Sequence, residues 1–185
     1  GIVKRGVTDM LTPGIATNDK LLEHKQNNFL AALFVDNEKG GIAFLDITTG
    51  EFLIAEGNLE YLDKLLQSLQ PAEILHPKNY QTAFKESFGN GFYTYGLDSW
   101  IFDEAFATEL LFKQFQTQTL KGFGIETLTK GIIAAGAILH YLKETEHPNL
   151  QHITGVQRME REDFLWMDRF TIRNLELLGA GVDQG

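Results

Sequence analysis

The 185-residue chain contains no cysteine. That absence excludes disulfides, thiolate metal sites and cysteine nucleophiles together, and it fits a reducing compartment. Proline is scarce. The four prolines, Pro13, Pro71, Pro77 and Pro148, each fall where a regular pattern breaks. No stretch of roughly 18 consecutive apolar residues occurs, so no transmembrane helix is expected. The opening Gly1-Ile2-Val3-Lys4-Arg5 holds no apolar signal core, and no Asn-x-Ser/Thr acceptor is present. A cytoplasmic protein is the expectation. Also missing is the Gly-x-x-x-x-Gly-Lys-Ser/Thr string that cradles nucleotide phosphates. Finally, there is no excess of positive charge. The net charge is −9, and residues 15–147 carry 10 basic against 18 acidic side chains. Residues 1–14 sum to +1 and residues 148–185 to −2. A duplex-binding surface usually displaces counterions with a basic stripe. The middle of this chain shows the opposite, so it is not expected to grip DNA directly.

What is present is patterned apolar sequence, 43% of the chain, enough for a true core. Residues 4–11 alternate weakly and break at Thr12-Pro13-Gly14, which predicts a strand tail and a linker. Asn18 to Leu22 suggests a short capped helical turn. Asn28 to Val35 is apolar on both faces, as in a central strand covered on both sides. Asp36 to Gly41 is read as a turn, Ile42 to Ile47 as a second strand, and Glu51 to Ala55 as a third. Short turns between them predict an antiparallel meander. Asn58 then caps a helix whose Leu62, Leu65, Leu66 and Leu69 share one face, ended by Pro71. Glu73-Ile74-Leu75 is a short strand stopped by Pro77. Tyr80, Phe84 and Phe88 mark a short helix, and Phe92 to Tyr95 a fifth strand. Asp103 caps a third helix with Phe106, Leu110, Leu111 and Phe115 inward.

This βββ-α-β-α-β order implies an α/β fold, a mixed sheet flanked by helices in the ribonuclease H-like arrangement. Residues 128–146 form the strongest helix, with Leu128, Ile132, Ala135, Leu139 and Leu142 in register. Gly131 and Gly136 each weaken it by about 1 kcal/mol, so close approach to a neighbour is their expected role. A domain boundary is placed near 148. The last predicted helix, 168–178, has Ile172, Leu175 and Leu178 on one face and little left to cover them. It reads as the beginning of an α-helical domain, and the chain as a piece of a larger protein.

A ribonuclease H-like sheet raises the alternative of a stand-alone metal-dependent nuclease. Two-metal hydrolysis needs several carboxylates converging on ions ~4 Å apart. Here the first strand is apolar from Phe29 to Val35, Asp36 falls in the turn, and the fourth strand ends Leu75-His76-Pro77 without an acid. Asp46, beside Thr48-Thr49-Gly50, suits hydrogen bonds to the turn backbone instead. His24, His76, His140, His147 and His152 lack ligand spacing and are expected at the surface or at boundaries. Glu60, Asp63, Glu144 and Glu146 read as solvated helix edges. Arg158, Arg161, Arg169 and Arg173 alternate with Glu160, Glu162, Asp163 and Asp168, which favours internal ion pairs. No catalytic, cofactor or metal residue is assigned.

Several blocks, in order, carry a resemblance. They are Val3-Lys4-Arg5, Thr12-Pro13-Gly14, Asn28 to Ala32, Leu45 to Phe52, Gly122 to Glu126, Ala134-Ala135-Gly136, Tyr141 to Thr145, and Thr171 to Glu176. Together they resemble the MutS family of bacterial DNA mismatch-repair proteins across nearly the whole chain. The resemblance implies three parts. Residues 1–14 correspond to the tail of the mismatch-reading domain and its linker, 15–147 to the connector domain, and 148–185 to the start of the core or lever domain. It also implies a non-catalytic connector that links the mismatch reader to the ATPase body, with MutL as a partner. ATP and Mg²⁺ would bind the parent protein outside these residues. Mismatched duplex DNA would be met through the parent protein, near the nucleoid during repair. The family's Phe-x-Glu mismatch wedge is matched by Phe84-Lys85-Glu86 and Phe102-Asp103-Glu104. Neither is assigned that role, because Phe84 suits a buried face and Asp103 a helix cap. For MutL the expected surface is the outer face of the 103–116 helix: Glu104, Thr108, Glu109, Lys113 and Gln116.

Overall fold

A computed structural model describes residues 28–159. Residues 1–27 and 160–185, with the capped turn expected at 18–22 and the helix expected at 168–178, lie outside the described residues. The strands are β1 (Phe29–Asp36), β2 (Lys39–Asp46), β3 (Phe52–Asn58), β4 (Glu73–Pro77), β5 (Thr94–Leu97) and β6 (Gln157–Arg158). The helices are α1 (Leu59–Leu69), α2 (Gln81–Phe88), α3 (Glu104–Phe115) and α4 (Thr129–Glu144). The sheet order is β5-β4-β1-β2-β3-β6. β1, β2 and β3 form the antiparallel meander, and β4 runs parallel to β1 with Leu30 opposite Glu73. This is the expected ribonuclease H-like mixed sheet.

β1 is central because both of its faces are apolar. Phe29, Ala31 and Leu33 pack with Ile42, Phe44 and Ile74 under α1 and α2. Leu30 and Ala32 pack with Ala43, Leu45, Phe52 and Leu75 under α4. Burying such a Leu or Phe side chain is worth about 1.5–3 kcal/mol, so a one-residue slip would misplace both layers at once.

The turn between β1 and β2 is shorter than expected. It is Asn37-Glu38, with Asn37 in the left-handed region at φ 63°. Gly40 and Gly41, read from sequence as turn residues, lie inside β2 and are buried. The reason is packing. A Cβ on Gly41 would stand 2.1 Å from the Lys130 carbonyl carbon and 2.3 Å from Gly131 N, where the first turn of α4 crosses the sheet.

The next turn follows expectation. Asp46 Oδ1 accepts from Thr48 N at 2.9 Å and Thr49 N at 3.4 Å, and Gly50 takes φ 84°. β3 runs on to Asn58, whose Oδ1 accepts from Tyr61 N at 2.9 Å and caps α1. α1 ends at Gln70 in the left-handed conformation, just before Pro71. β5 starts two residues later than expected. Parallel pairing with β4 sets Ile74 opposite Thr94 and Pro77 opposite Leu97, and Phe92 is left to pack on Phe84.

α4 is apolar nearly all round because it lies between the sheet and α3. Its N-cap, Leu128, offers no side-chain acceptor. Glu56 on β3 supplies one: Oε2 accepts from Lys130 N and, at 3.3 Å, from Gly131 N. Both internal glycines serve close approach. A Cβ on Gly131 would lie 3.2 Å from Ile54 Cδ1, and one on Gly136 would lie 2.4 Å from Ala107 Cβ. Past position 148, the described chain stays on this body. Gln114 Nε2 donates to Leu150 O at 2.9 Å and Ile153 O at 3.0 Å. Ile153 and Val156 are buried in the α4-side core, and β6 pairs with β3.

Candidate partner-binding surface

α3 forms because Asp103 starts it and Gln116 stops it. Asp103 is extended at φ −136° and its Oδ2 accepts from Phe106 N at 2.9 Å. Glu104 in the first turn and Lys113 in the last both complement the helix dipole. Gln116, at φ 55°, takes the left-handed stop.

The inner face differs in part from the expected one. Leu110 and Leu111 are buried, and so is Ala107, pressed against Gly136 of α4. Phe106 and Phe115, expected inward, are only half-buried. The small Ala107–Gly136 contact draws the helices together and leaves the larger rings at its flanks. Phe106 meets Trp100 and His140 edge-on, with centroids 5.3 and 5.5 Å away. Phe115 packs on Phe123 at 5.0 Å and Phe52 at 6.4 Å.

On the outer face, Glu104, Glu109, Lys113 and Gln116 are exposed and Thr108 is half-buried. Ala105 and the half-buried Phe112 lie between them on the outer side of α3, so the polar residues share that side with apolar ones. Sequence reasoning passed over Trp100, which is 59% exposed just before α3 and packs edge-on to Phe106 and His140. Its signal was a large aromatic three residues before the cap. Tyr93 is the other exposed large hydrophobic residue among those described.

Among the described residues the acids do not converge. Asp46 serves its turn, and Asp36 closes β1 opposite Lys39. Among the described residues no group of three or more His, Cys, Asp or Glu side chains could hold a metal ion. Sequence reasoning missed one buried carboxylate, Glu73, which is 1% exposed. Its Oε1 accepts from Tyr141 OH at 3.3 Å. Burial first, and the nearby Glu73 second, push the Tyr141 phenol far above its ordinary range. No local pattern marks Glu73, since its partner lies on α4.

The histidines also split. His76, expected at the surface or a boundary, is in the core, stacked on Phe84 with Nδ1 2.7 Å from Pro77 O. Alternation along β4 puts it on the α2 face. Burial lowers the pKa of His76, and likewise those of His140 and His147. His152 lies on the surface, with Nε2 against Ile47 O. His24 lies outside the described residues. Of the arginine cluster, only Arg158 falls within them; its guanidinium reaches Gly124 O at 3.5 Å. An ion pair joins Lys78 Nζ to Asp98 at 2.8 Å on the surface. Among the described residues, no helix is long and apolar enough to cross a membrane.

The fold defines a ribonuclease H-like α/β module with α3 packed outside α4. The family model described as MutS domain II matches residues 28–154. The chain is 57% identical over 176 residues to the DNA mismatch repair protein MutS of Flavobacterium johnsoniae, covering 95% of the chain and 20% of that relative. It is 55% identical over 185 residues to that of Cytophaga hutchinsonii, covering 100% and 22%. With that of Bacteroides fragilis it shares 50% over 184 residues, covering 100% and 21%. The chain belongs to the MutS family of DNA mismatch-repair proteins, and its described body is the connector domain, domain II. It spans about a fifth of the length of these curated relatives.

Proposed function

We propose that this domain joins the mismatch-reading part of its parent protein to the core that carries the ATPase, helps pass state between them, and offers the outer face of α3 to MutL. The observation behind this is the place of α3. Its inner side is spent on α4, and Glu104, Glu109, Lys113 and Gln116 on its outer side are exposed. ATP and Mg²⁺ bind the parent protein elsewhere, and the complex acts on DNA in the cytoplasm, at the nucleoid during repair.

The test uses the full-length protein on mismatched DNA with ATP. Glu109→Lys, alone and with Glu104→Lys, is expected to weaken MutL capture about tenfold, the scale of one misplaced charge at an interface. Exposed substitutions usually move stability by at most ~0.5 kcal/mol, so folding should be intact by circular dichroism. Unchanged capture would return α3 to the status of an ordinary solvated helix and sink this reading.

The domain itself is proposed to be catalytically silent and to bind duplex DNA weakly, with no preference for a mismatch. Among the described residues the acids are dispersed, and the net charge of −9 repels phosphate. Clean protein at stoichiometric amounts should neither turn over ATP nor cleave RNA or DNA with Mg²⁺. Cleavage that disappears on Asp46→Asn would instead establish the alternative, a stand-alone metal-dependent nuclease. A mismatch-selective complex at physiological salt would overturn the DNA part.

A further inference from the structure

Where α3 and α4 both end, the chain from Pro148 to Thr154 passes alongside and leaves an open groove of about 500 Å³. Phe115 and Leu150 give it apolar lining, and Gln116, Lys113, Lys143 and His147 give it polar lining. Among the described residues, the charged side chains that line it are two lysines, and no carboxylate does. That is unusual on a chain of net charge −9. Among the described residues neither Lys113 nor Lys143 has an ion-pair partner, whereas Lys78 is paired with Asp98.

The bland reading is that each lysine offsets its own helix dipole, since each sits in a last turn. Magnitudes decide against it as the whole account. A helix C-terminus is worth roughly −0.5 charge, so two of them offset about half of the two lysines' charge. Exposed Glu109 and Glu144 stand near these lysines on their own helices, but neither lines the groove, so among the described residues the charge facing the groove stays positive beside apolar surface.

We propose that this groove is a docking site for a carboxylate-bearing segment of a protein partner, held by Lys113 and Lys143 and seated on Phe115 and Leu150. The inference rests on the reading of α3 as a docking helix and extends that surface around its C-terminal end, since Lys113 and Gln116 belong to both. Charge complementarity selects the occupant: an acidic segment is attracted locally and carries apolar side chains for the lining. A nucleic-acid backbone meets the same lysines, but with no apolar groups in its phosphates and with a strongly acidic domain around it.

The test measures binding of a fluorescein-labelled peptide of alternating glutamate and leucine to the 185-residue chain and to the full-length parent protein. A glutamine–leucine peptide and a thymidine dodecamer serve as comparisons. The glutamate peptide is expected to bind about tenfold tighter than the glutamine peptide, and to weaken as salt rises. Lys113→Glu with Lys143→Glu should cost about tenfold, and the paired Gln substitutions about threefold. Lys64→Glu, on exposed α1 surface away from the groove, should change nothing. The milder Gln pair keeps the test open if charge reversal disturbs folding. Equal affinity in the wild-type and lysine-substituted proteins would overturn the proposal. So would tighter binding of the dodecamer than of the peptide, which would make the groove a phosphate site. Glu109 does not line the groove, so Glu109→Lys should leave peptide affinity within about threefold. Loss of MutL capture on Glu109→Lys with no peptide effect of the lysine changes would sink the groove alone. The reverse pattern would sink the α3 reading and keep the groove.

Discussion

Gly41→Ala is expected to destabilise the domain by about 3 kcal/mol or more, the upper part of the usual range for overpacking. Most glycine-to-alanine changes in a strand help, because alanine loses less conformational freedom on folding. Here the added Cβ would meet the Lys130 carbonyl carbon at 2.1 Å and Gly131 N at 2.3 Å. Both are backbone atoms in the first turn of α4, so no side chain can swing aside. Relief requires α4 to lift from the sheet, which would break the Glu56 contacts with Lys130 N and Gly131 N and loosen Ile132 and Ala135 beneath it. For a body of this size, the thermal midpoint should fall by at least ~8 °C. As a control, Gly122→Ala has no neighbour within 4 Å of the new Cβ and should be near neutral. A Gly41→Ala midpoint within about 2 °C of wild type would show that α4 can shift freely.

Glu56→Ala should be the next most damaging change, at about 2 kcal/mol. The carboxylate bonds two N–H groups that α4 cannot satisfy for itself, because Leu128 provides no cap. Losing a cap costs about 0.5–2 kcal/mol, a charged hydrogen bond somewhat more, and the helix dipole adds a few tenths. Glu56→Gln keeps an acceptor oxygen but loses the charge, so it should cost about half as much. Urea midpoints of the three proteins measure the ladder. Equal stability of Gln and Ala variants would mean that charge carries the whole effect; no loss in either would mean that water caps α4 equally well.

These two sites also mark where sequence reading stops. Both strand faces of Phe29–Val35, the leucine stripe of α1 and the caps at Asn58 and Asp103 are local: each depends on residues at most a few positions apart. They were legible for that reason. Gly40 and Gly41 resembled a turn because paired glycines after Asn37 usually make one. What they actually meet comes from far along the chain. The exposure of Glu104, Glu109, Lys113 and Gln116 followed from helical period, but the half-burial of Thr108, Phe106 and Phe115 needed the packed neighbours. Glu73 had no sequence signal, because the Tyr141 that bonds it stands 68 positions away.

By itself, then, the sequence determined the order and type of the elements, the double-sided central strand and the family, because periodicity, capping and ordered motifs are written in neighbouring residues. Only the tertiary structure decided the seat of α4 on glycine, the distant cap from Glu56, and the meeting of Lys113 with Lys143 in one groove. Each of these depends on distances between backbone segments that only the packed core brings together.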